Sequence, residues 1–223
     1  MMPDTRNTFN SISSVYNLIN NIISLRNHKK WKKRFVLGHP IKGNVLDIAT
    51  GTGDIIYLIE EYWKDSTLYA IDPSNKMLEI AIKKNFKKNI NFSENYCEDL
   101  NFNNNFFDFI TISFGIRNTK SISIALSECK RVMKKGATLK IMEFSKSENI
   151  FLSFLTTTYL YLIIPFIGLL FGKFKEYFYL SSSISNFYTP KQFKEILLEN
   201  GFQIKEVDTF NLGLVTIYTT TKP

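Results

Sequence analysis

Asp47-Ile48-Ala49-Thr50-Gly51-Thr52-Gly53-Asp54 is the stretch on which the reading of the fold turns. An apolar run, residues 45–49, leads into it and reads as a buried strand; an amphipathic stretch, 54–62, leaves it and reads as a helix. Gly51 and Gly53 let the chain turn sharply and let a ligand approach the backbone with no Cβ in the way. A dinucleotide-binding loop would carry Gly or Ala three positions beyond Gly53, where Ile56 and its neighbour Tyr57 stand instead. The loop is therefore adapted to another ligand.

Outward from this loop the chain alternates. Residues 67–71 read as a strand, 74–84 as a helix, 91–96 as a weak strand, 106–113 as a strong one, 121–133 as an amphipathic helix, and 137–144 as a strand after the Lys135-Gly136 turn. Right-handed crossovers assemble such a pattern into a doubly wound, mostly parallel α/β sheet. The end of the chain differs: a helix at 190–200, stopped by Gly201, leads into strands 202–210 and 214–220 joined at Asn211-Leu212-Gly213, a terminal antiparallel hairpin. Upstream, 9–37 reads as helical, and its cluster Lys29-Lys30-Trp31-Lys32-Lys33-Arg34 reads as a solvated face in preference to a lipid or RNA contact.

Asp72 closes the second strand, where a carboxylate can accept hydrogen bonds from both hydroxyls of a ribose. A glycine-rich loop alone is a weak signal, but paired with an acidic strand end at this distance it argues for an adenosyl cofactor. Tyr96-Cys97-Glu98-Asp99-Leu100, ending the third strand, could bracket the adenine edge.

With 223 residues, 44% of them hydrophobic, one core and one domain over 1–223 are expected. The 2 Cys and 2 His (Cys97, Cys129, His28, His39) form neither a disulfide framework nor metal-ligand spacing, so no metal is expected. No export signal is read at the N-terminus, which points to a cytoplasmic protein. The net charge of +8 suits an anionic partner, but heavy use of Asn, Lys, Ile, Phe and Tyr accounts for it equally well as compositional drift.

Residues 151–171 are apolar and long enough to cross a bilayer. Ser153, Thr156, Thr157 and Thr158 dilute the first half, Pro165 is expected to break the helix, and Gly168 and Gly172 to loosen the rest. An insertion after the fifth strand sits over the carboxyl edge of the sheet, so 148–188 reads as an apolar lid over a ligand site, following an N-terminal helical segment at 1–40. An apolar substrate is implied.

Val45-Leu46-Asp47 with Gly51-Thr52-Gly53-Asp54, then Phe107-Asp108, 110–118 (Ile-Thr-Ile-Ser-Phe-Gly-Ile-Arg-Asn) and Met142-Glu143-Phe144-Ser145-Lys146, resemble the ubiquinone/menaquinone-biosynthesis C-methyltransferases over nearly the whole chain. The Ser-Phe-Gly-x-Arg-Asn and Glu-Phe-Ser-Lys elements are much narrower signals than the glycine loop. The resemblance implies a class I fold with S-adenosyl-L-methionine as cofactor, held by Asp47, Gly51, Thr52, Gly53, Asp72, Tyr96, Cys97 and Ser113. It places Arg117 and Asn118 at the reactive edge of an isoprenoid quinol. Tyr96 stands where relatives usually carry Asn or Asp, Asn101 replaces a frequent Pro, and Lys135-Gly136 lacks the commoner Pro-Gly.

Methylation at carbon needs an electron-rich ring, and a quinol supplies one when its phenol loses a proton. Arg117, too basic to accept a proton, is the candidate for stabilising the oxyanion, with Asn118 orienting the hydroxyl; the alternative is that Arg117 only bridges a helix start to Asp108 or a nearby carbonyl. The base is unassigned. Residues 213–222 look more like menaquinone-side members, which favours demethylmenaquinol as acceptor over a ubiquinone-pathway benzoquinol. The expected partners are the quinol, a transient contact with the inner face of the cell membrane, and a second copy in a homodimer; nucleic acid is not expected. An RNA-binding protein or RNA methyltransferase, and a membrane scaffold with a degenerate cofactor site, are the competing readings.

Overall fold

The first strand, β1 (Gly43–Ile48), buries Val45, Leu46 and Ile48 and lies between two parallel neighbours, β2 (Ser66–Asp72) and β4 (Phe107–Ser113). β3 (Asn91–Glu94) extends the sheet beyond β2, and β5 (Met133–Phe144) extends it beyond β4, both parallel. The terminal hairpin, β6 (Gln203–Phe210) and β7 (Val215–Thr221), inserts β7 antiparallel against β5. The resulting order is β3-β2-β1-β4-β5-β7-β6, in a computed structural model that describes residues 5–147, 149–211 and 213–223. Leu212 of the expected hairpin turn lies outside the described residues. The order reverses between β1 and β4, the switch point at which open α/β sheets bind ligands.

Both faces of the central strands are covered, which is why they read as nearly continuous apolar runs. On one face, α6 (Ile122–Val132) presents Ala125, Leu126, Cys129 and Val132, and α10 (Pro190–Glu199) presents Phe193 and Leu197. On the other, α3 (Asn27–Leu37) presents Trp31, Phe35 and Val36, and α4 (Asp54–Tyr62) presents Ile55, Ile56 and Ile59. Several helix starts carry side-chain caps. Ser74 caps α5 (Asn75–Ile82), Ser121 caps α6, and Thr189 with Gln192 forms a capping box on α10. Lys140, buried in β5, donates from Nζ to the Phe35 carbonyl at 2.7 Å, fastening the end of α3 to the sheet.

The stretch expected to be helical over 9–37 is divided among three helices, α1 (Thr5–Ile12), α2 (Tyr16–Ile23) and α3, and two further expectations need correction. The Ser13 and Ser24 hydroxyls donate to the carbonyls of Asn10 and Asn20, and Leu25 and Arg26 turn left-handed between α2 and α3. β5 starts at Met133 rather than 137, because Met133 already pairs with Phe107 ahead of an irregularity in the ladder. Pro165 does not break the lid helix. From α7 (Ile150–Thr158) the chain widens into a π-helical turn, Tyr159–Ile163, and continues into α8 (Ile164–Leu170) with Pro165 in its first turn. A helix interior cannot tolerate the missing proline N–H, but a wide turn just before it absorbs the mismatch.

After α8, α9 (Phe174–Ser185) folds back, and these helices pack with α1 and α2 into a smaller core of Ile12, Ile19, Met77, Leu160, Ile164, Tyr177 and Ile184. Phe151–Leu170 is apolar and, at 20 residues, long enough to cross a membrane by length and composition, with 22% of that window buried.

Candidate active site

Ala49 and Phe114 directly follow β1 and β4, and both adopt left-handed backbone conformations, φ 55° and 56°. A bulky residue held there costs of order 1–3 kcal/mol, and such strain gathers where a site needs the chain to turn abruptly. The two loops also touch: a Cβ on Gly115 would fall 2.5 Å from the Ala49 Cβ, so only glycine closes this approach. Between the loops opens a crevice lined by Gly51, Asp72, Met77, Tyr96, Cys97, Ile112, Ser113 and Asn118 among others.

Gly51 is left-handed at φ 56°, and nothing within 4 Å would meet a Cβ there, so its backbone faces open space. Its N–H donates to Asp72 Oδ2 and the Ser74 N–H donates to Asp72 Oδ1, both at 2.8 Å. Asp72 thus ties the glycine loop to the end of β2, and each oxygen keeps a lone pair for a ligand hydroxyl. Burial pushes its carboxyl up to about 6 despite these two bonds. Asp47, 1% exposed at the end of β1, accepts from Thr111 Oγ1 at 2.7 Å, and burial pushes it up to about 7.

The other residues read as cofactor contacts divide. Tyr96, Cys97 and Ser113 line the crevice. The Ser113 hydroxyl is buried with no partner among the described residues, so it is available to a ligand. The Cys97 thiol lies 4.0 Å from that of Cys129. Thr52 donates to Asn17 Oδ1 of α2 at 3.0 Å, and Gly53 packs on Ala81 of α5; neither lines the crevice.

A second chamber adjoins the first, with Phe9, Tyr16 and Phe114 on the boundary of both. Its walls are Trp31, Phe144, Tyr177, Leu180 and Ile184, with His28, Lys32, Arg117, Glu176 and Tyr179 as polar members. Arg117 forms a buried ion pair with Glu143, donates to the Phe114 carbonyl at 2.8 Å and to Ser183 Oγ at 3.3 Å, and lies over the Phe144 ring. Burial pushes the Glu143 carboxyl up, with the Arg117 guanidinium opposing it. Arg117 does bridge to a carbonyl, but its carboxylate is Glu143; Asp108 instead receives Lys134 and the Asn44 N–H. Asn118 accepts from the Tyr179 hydroxyl at 3.2 Å and lines the first crevice.

Lys32, Glu143, Tyr179 and His28 were not singled out as site residues from the sequence. Asn20 and Ser24 at the end of α2 and His28 and Lys32 on α3 all reach the second chamber, and the spacing of four puts the latter two on one face of α3. The cationic cluster is consequently not a uniformly solvated face: Lys32 turns inward to pair with Asp54 at 2.7 Å and Arg34 pairs with Asp208, while Lys29 and Lys30 are exposed. Among the described residues no cluster of His, Cys, Asp and Glu could hold a metal.

A mostly parallel seven-stranded sheet with a terminal antiparallel hairpin and a glycine-lined crevice at its switch point defines a class I S-adenosylmethionine-dependent methyltransferase. A SAM-dependent methyltransferase structure from Thermotoga maritima superposes with a TM-score of 0.73 at 18% identity, covering 99% of this chain and 100% of that one. The chain belongs to the ubiE/COQ5 methyltransferase family, whose model matches residues 4–222. A demethylmenaquinone methyltransferase of Thermotoga maritima is 38% identical over 200 residues, 88% of this chain and 86% of that protein. The ubiquinone/menaquinone biosynthesis C-methyltransferase UbiE of Geotalea daltonii is 34% identical over 218 residues, 95% and 93% of the two chains.

Proposed function

We propose that this chain, acting as one domain with 148–188 as its lid, methylates a ring carbon of demethylmenaquinol to give menaquinol; a ubiquinone-pathway benzoquinol is the alternative acceptor. The observation that carries the reading is the pairing of two cavities across Phe114: a glycine- and carboxylate-lined crevice beside an apolar, aromatic chamber under the lid. S-adenosylmethionine supplies an electrophilic methyl group when bound. Gly51, Asp72, Tyr96, Ser113 and the Cys97 backbone would hold it, with Asp47, Thr52 and Gly53 shaping the loop from behind.

The aromatic chamber excludes water and orients the quinol ring, which converts an encounter into a positioned reaction. Arg117, fixed by Glu143 and Ser183, stabilises negative charge developing on the ring oxygen, and Asn118, fixed by Tyr179, orients the hydroxyl. Incubation with radiolabelled S-adenosylmethionine and each quinol in detergent tests the reading. Label is expected in the naphthoquinol; label in neither quinol overturns it.

Replacing Asp72 by Asn puts an amide N–H2 against one of the two backbone donors it now accepts from. Cofactor affinity measured by calorimetry is expected to fall about tenfold to a hundredfold, since a hydrogen bond to a charged group contributes roughly 1.5–3 kcal/mol.

The lid exposes Phe151, Phe154, Leu162, Phe166 and Leu170, contiguous with exposed Phe174 and Phe178. Together with a net charge of +8, this apolar face suits transient seating on an anionic bilayer, where an isoprenoid acceptor resides. A Phe154→Glu/Phe166→Glu variant is expected to lose sedimentation with phosphatidylglycerol vesicles while retaining transfer to a short-tailed quinol. Unchanged sedimentation, or a dimer dissociated by the substitutions, assigns the face to another partner.

A further inference from the structure

Methylation at a quinol carbon requires that the ring hydroxyl give up a proton, and neither Arg117 nor Asn118 can take it. The second chamber holds a group that can. His28 lines it from α3, with its Nδ1 2.7 Å from Ser24 Oγ. The Ser24 hydroxyl also lies 2.6 Å from the Asn20 carbonyl; when it donates there, Ser24 Oγ accepts from His28, which places the ring proton on Nδ1 and the lone pair on Nε2. Nε2 meets no hydrogen-bond partner among the described residues. Asn20 and Ser24 thereby favour one tautomer, as an orienting group does for a base.

The charged groups around the ring are Lys29 and Lys32 on α3 and Asp54 on α4, which holds Lys32 by an ion pair. Burial, then the Lys32 ammonium, holds the imidazolium down to about 4, so the ring is neutral at physiological pH. Tyr177 and Glu176 also line the chamber; burial pushes the Tyr177 phenol up, so it keeps its own proton, and Glu176 accepts from Ser11 at Oε1, whereas the His28 ring has a lone pair oriented by its neighbours.

We infer that His28 is the general base of the transfer, its Nε2 accepting the ring-hydroxyl proton of the bound acceptor. The O–H bond breaks, its electron pair stays on oxygen and raises the electron density at the neighbouring ring carbon, and Nε2–H forms. Once that carbon carries the methyl group, its own proton leaves to water as the ring regains aromaticity, and Nε2 returns the hydroxyl proton. One proton is released per turnover and His28 ends as it began.

The inference rests on the quinol reading, so the test has two arms. Long-range 15N–1H spectra of the wild-type protein report the tautomer without turnover: an unprotonated Nε2 is expected, and an unprotonated Nδ1 overturns the assignment even if the quinol is the wrong substrate. With demethylmenaquinol, His28→Gln is expected to lower kcat about a hundredfold or more, the usual contribution of a general base, with KM and cofactor affinity little changed. Imidazole added to His28→Ala is expected to restore turnover, increasingly with more basic imidazoles. Loss of kcat without such rescue, or kcat unchanged in His28→Gln, overturns the role of His28; failure of the wild type to methylate either quinol overturns the substrate reading instead.

Discussion

Arg117→Ala is expected to lower the free energy of unfolding by about 3–5 kcal/mol, the cost of leaving one member of a buried ion pair without its partner. The side chains of Arg117 and Glu143 are 4% and 0% exposed, so Glu143 would have no water to replace the guanidinium. Burial already raises its carboxyl, and without Arg117 it would take up a proton rather than stay charged. Urea unfolding gives the size of the loss; a change below about 1 kcal/mol would mean that solvent reaches the pair, as at exposed salt bridges. On the proposed role of Arg117, turnover is expected to fall at least a hundredfold, because the donor assigned to the developing oxyanion is removed. A double variant, Arg117→Met/Glu143→Leu, separates the two roles. Replacing both charges with apolar groups of similar volume is often neutral for stability, so this variant should regain much of the folding free energy while staying inactive. Recovery of activity along with stability would reduce Arg117 to a structural strut.

The glycine loop and Asp72 could be recognised in the sequence because their signals are local: a strand end, a turn that needs left-handed residues, and an acidic strand end 21 positions on. Helix α4 was legible to the residue for the same reason, its start set by the loop and its inner face by Ile55, Ile56 and Ile59. The second chamber was not, because its walls meet only in three dimensions. Ser11 bonds Glu176 from 165 positions away, and Tyr179 reaches Asn118 across 61. Glu143 could be quoted as part of a motif, but that Arg117 would be its counter-charge depends on how β4 and β5 pair. Pro165 misled because the rule against interior proline assumes a regular α-helix, and the π-helical turn before it removes that premise.

Asp47 carries a large pH dependence. Its folded carboxyl lies at about 7 against an ordinary 3.8, burial being the main cause and the charge of Asp72 a lesser one. Between those values the folded chain holds a proton that the unfolded chain has released, so the stability from this group is complete below pH 3.8 and is lost as pH rises towards 7. At about 1.4 kcal/mol per pKa unit the loss is roughly 4 kcal/mol. Asp72 acts in the same direction up to about 6, whereas His28, lowered from 6.5 to about 4, adds stability as pH rises between those two values. The wild-type curve therefore mixes opposing effects, but the difference between wild type and Asp47→Asn isolates one of them, since the constant cost of the amide cancels. Without cofactor, the variant is expected to gain roughly 4 kcal/mol on the wild type between pH 4 and pH 8; a pH-independent difference would mean that Asp47 ionises normally. The same linkage reaches function. A sulfonium cation bound in the adjoining crevice favours the ionised carboxylates, and the coupling is reciprocal, so cofactor affinity should rise across the pH range in which the empty crevice gives up those protons.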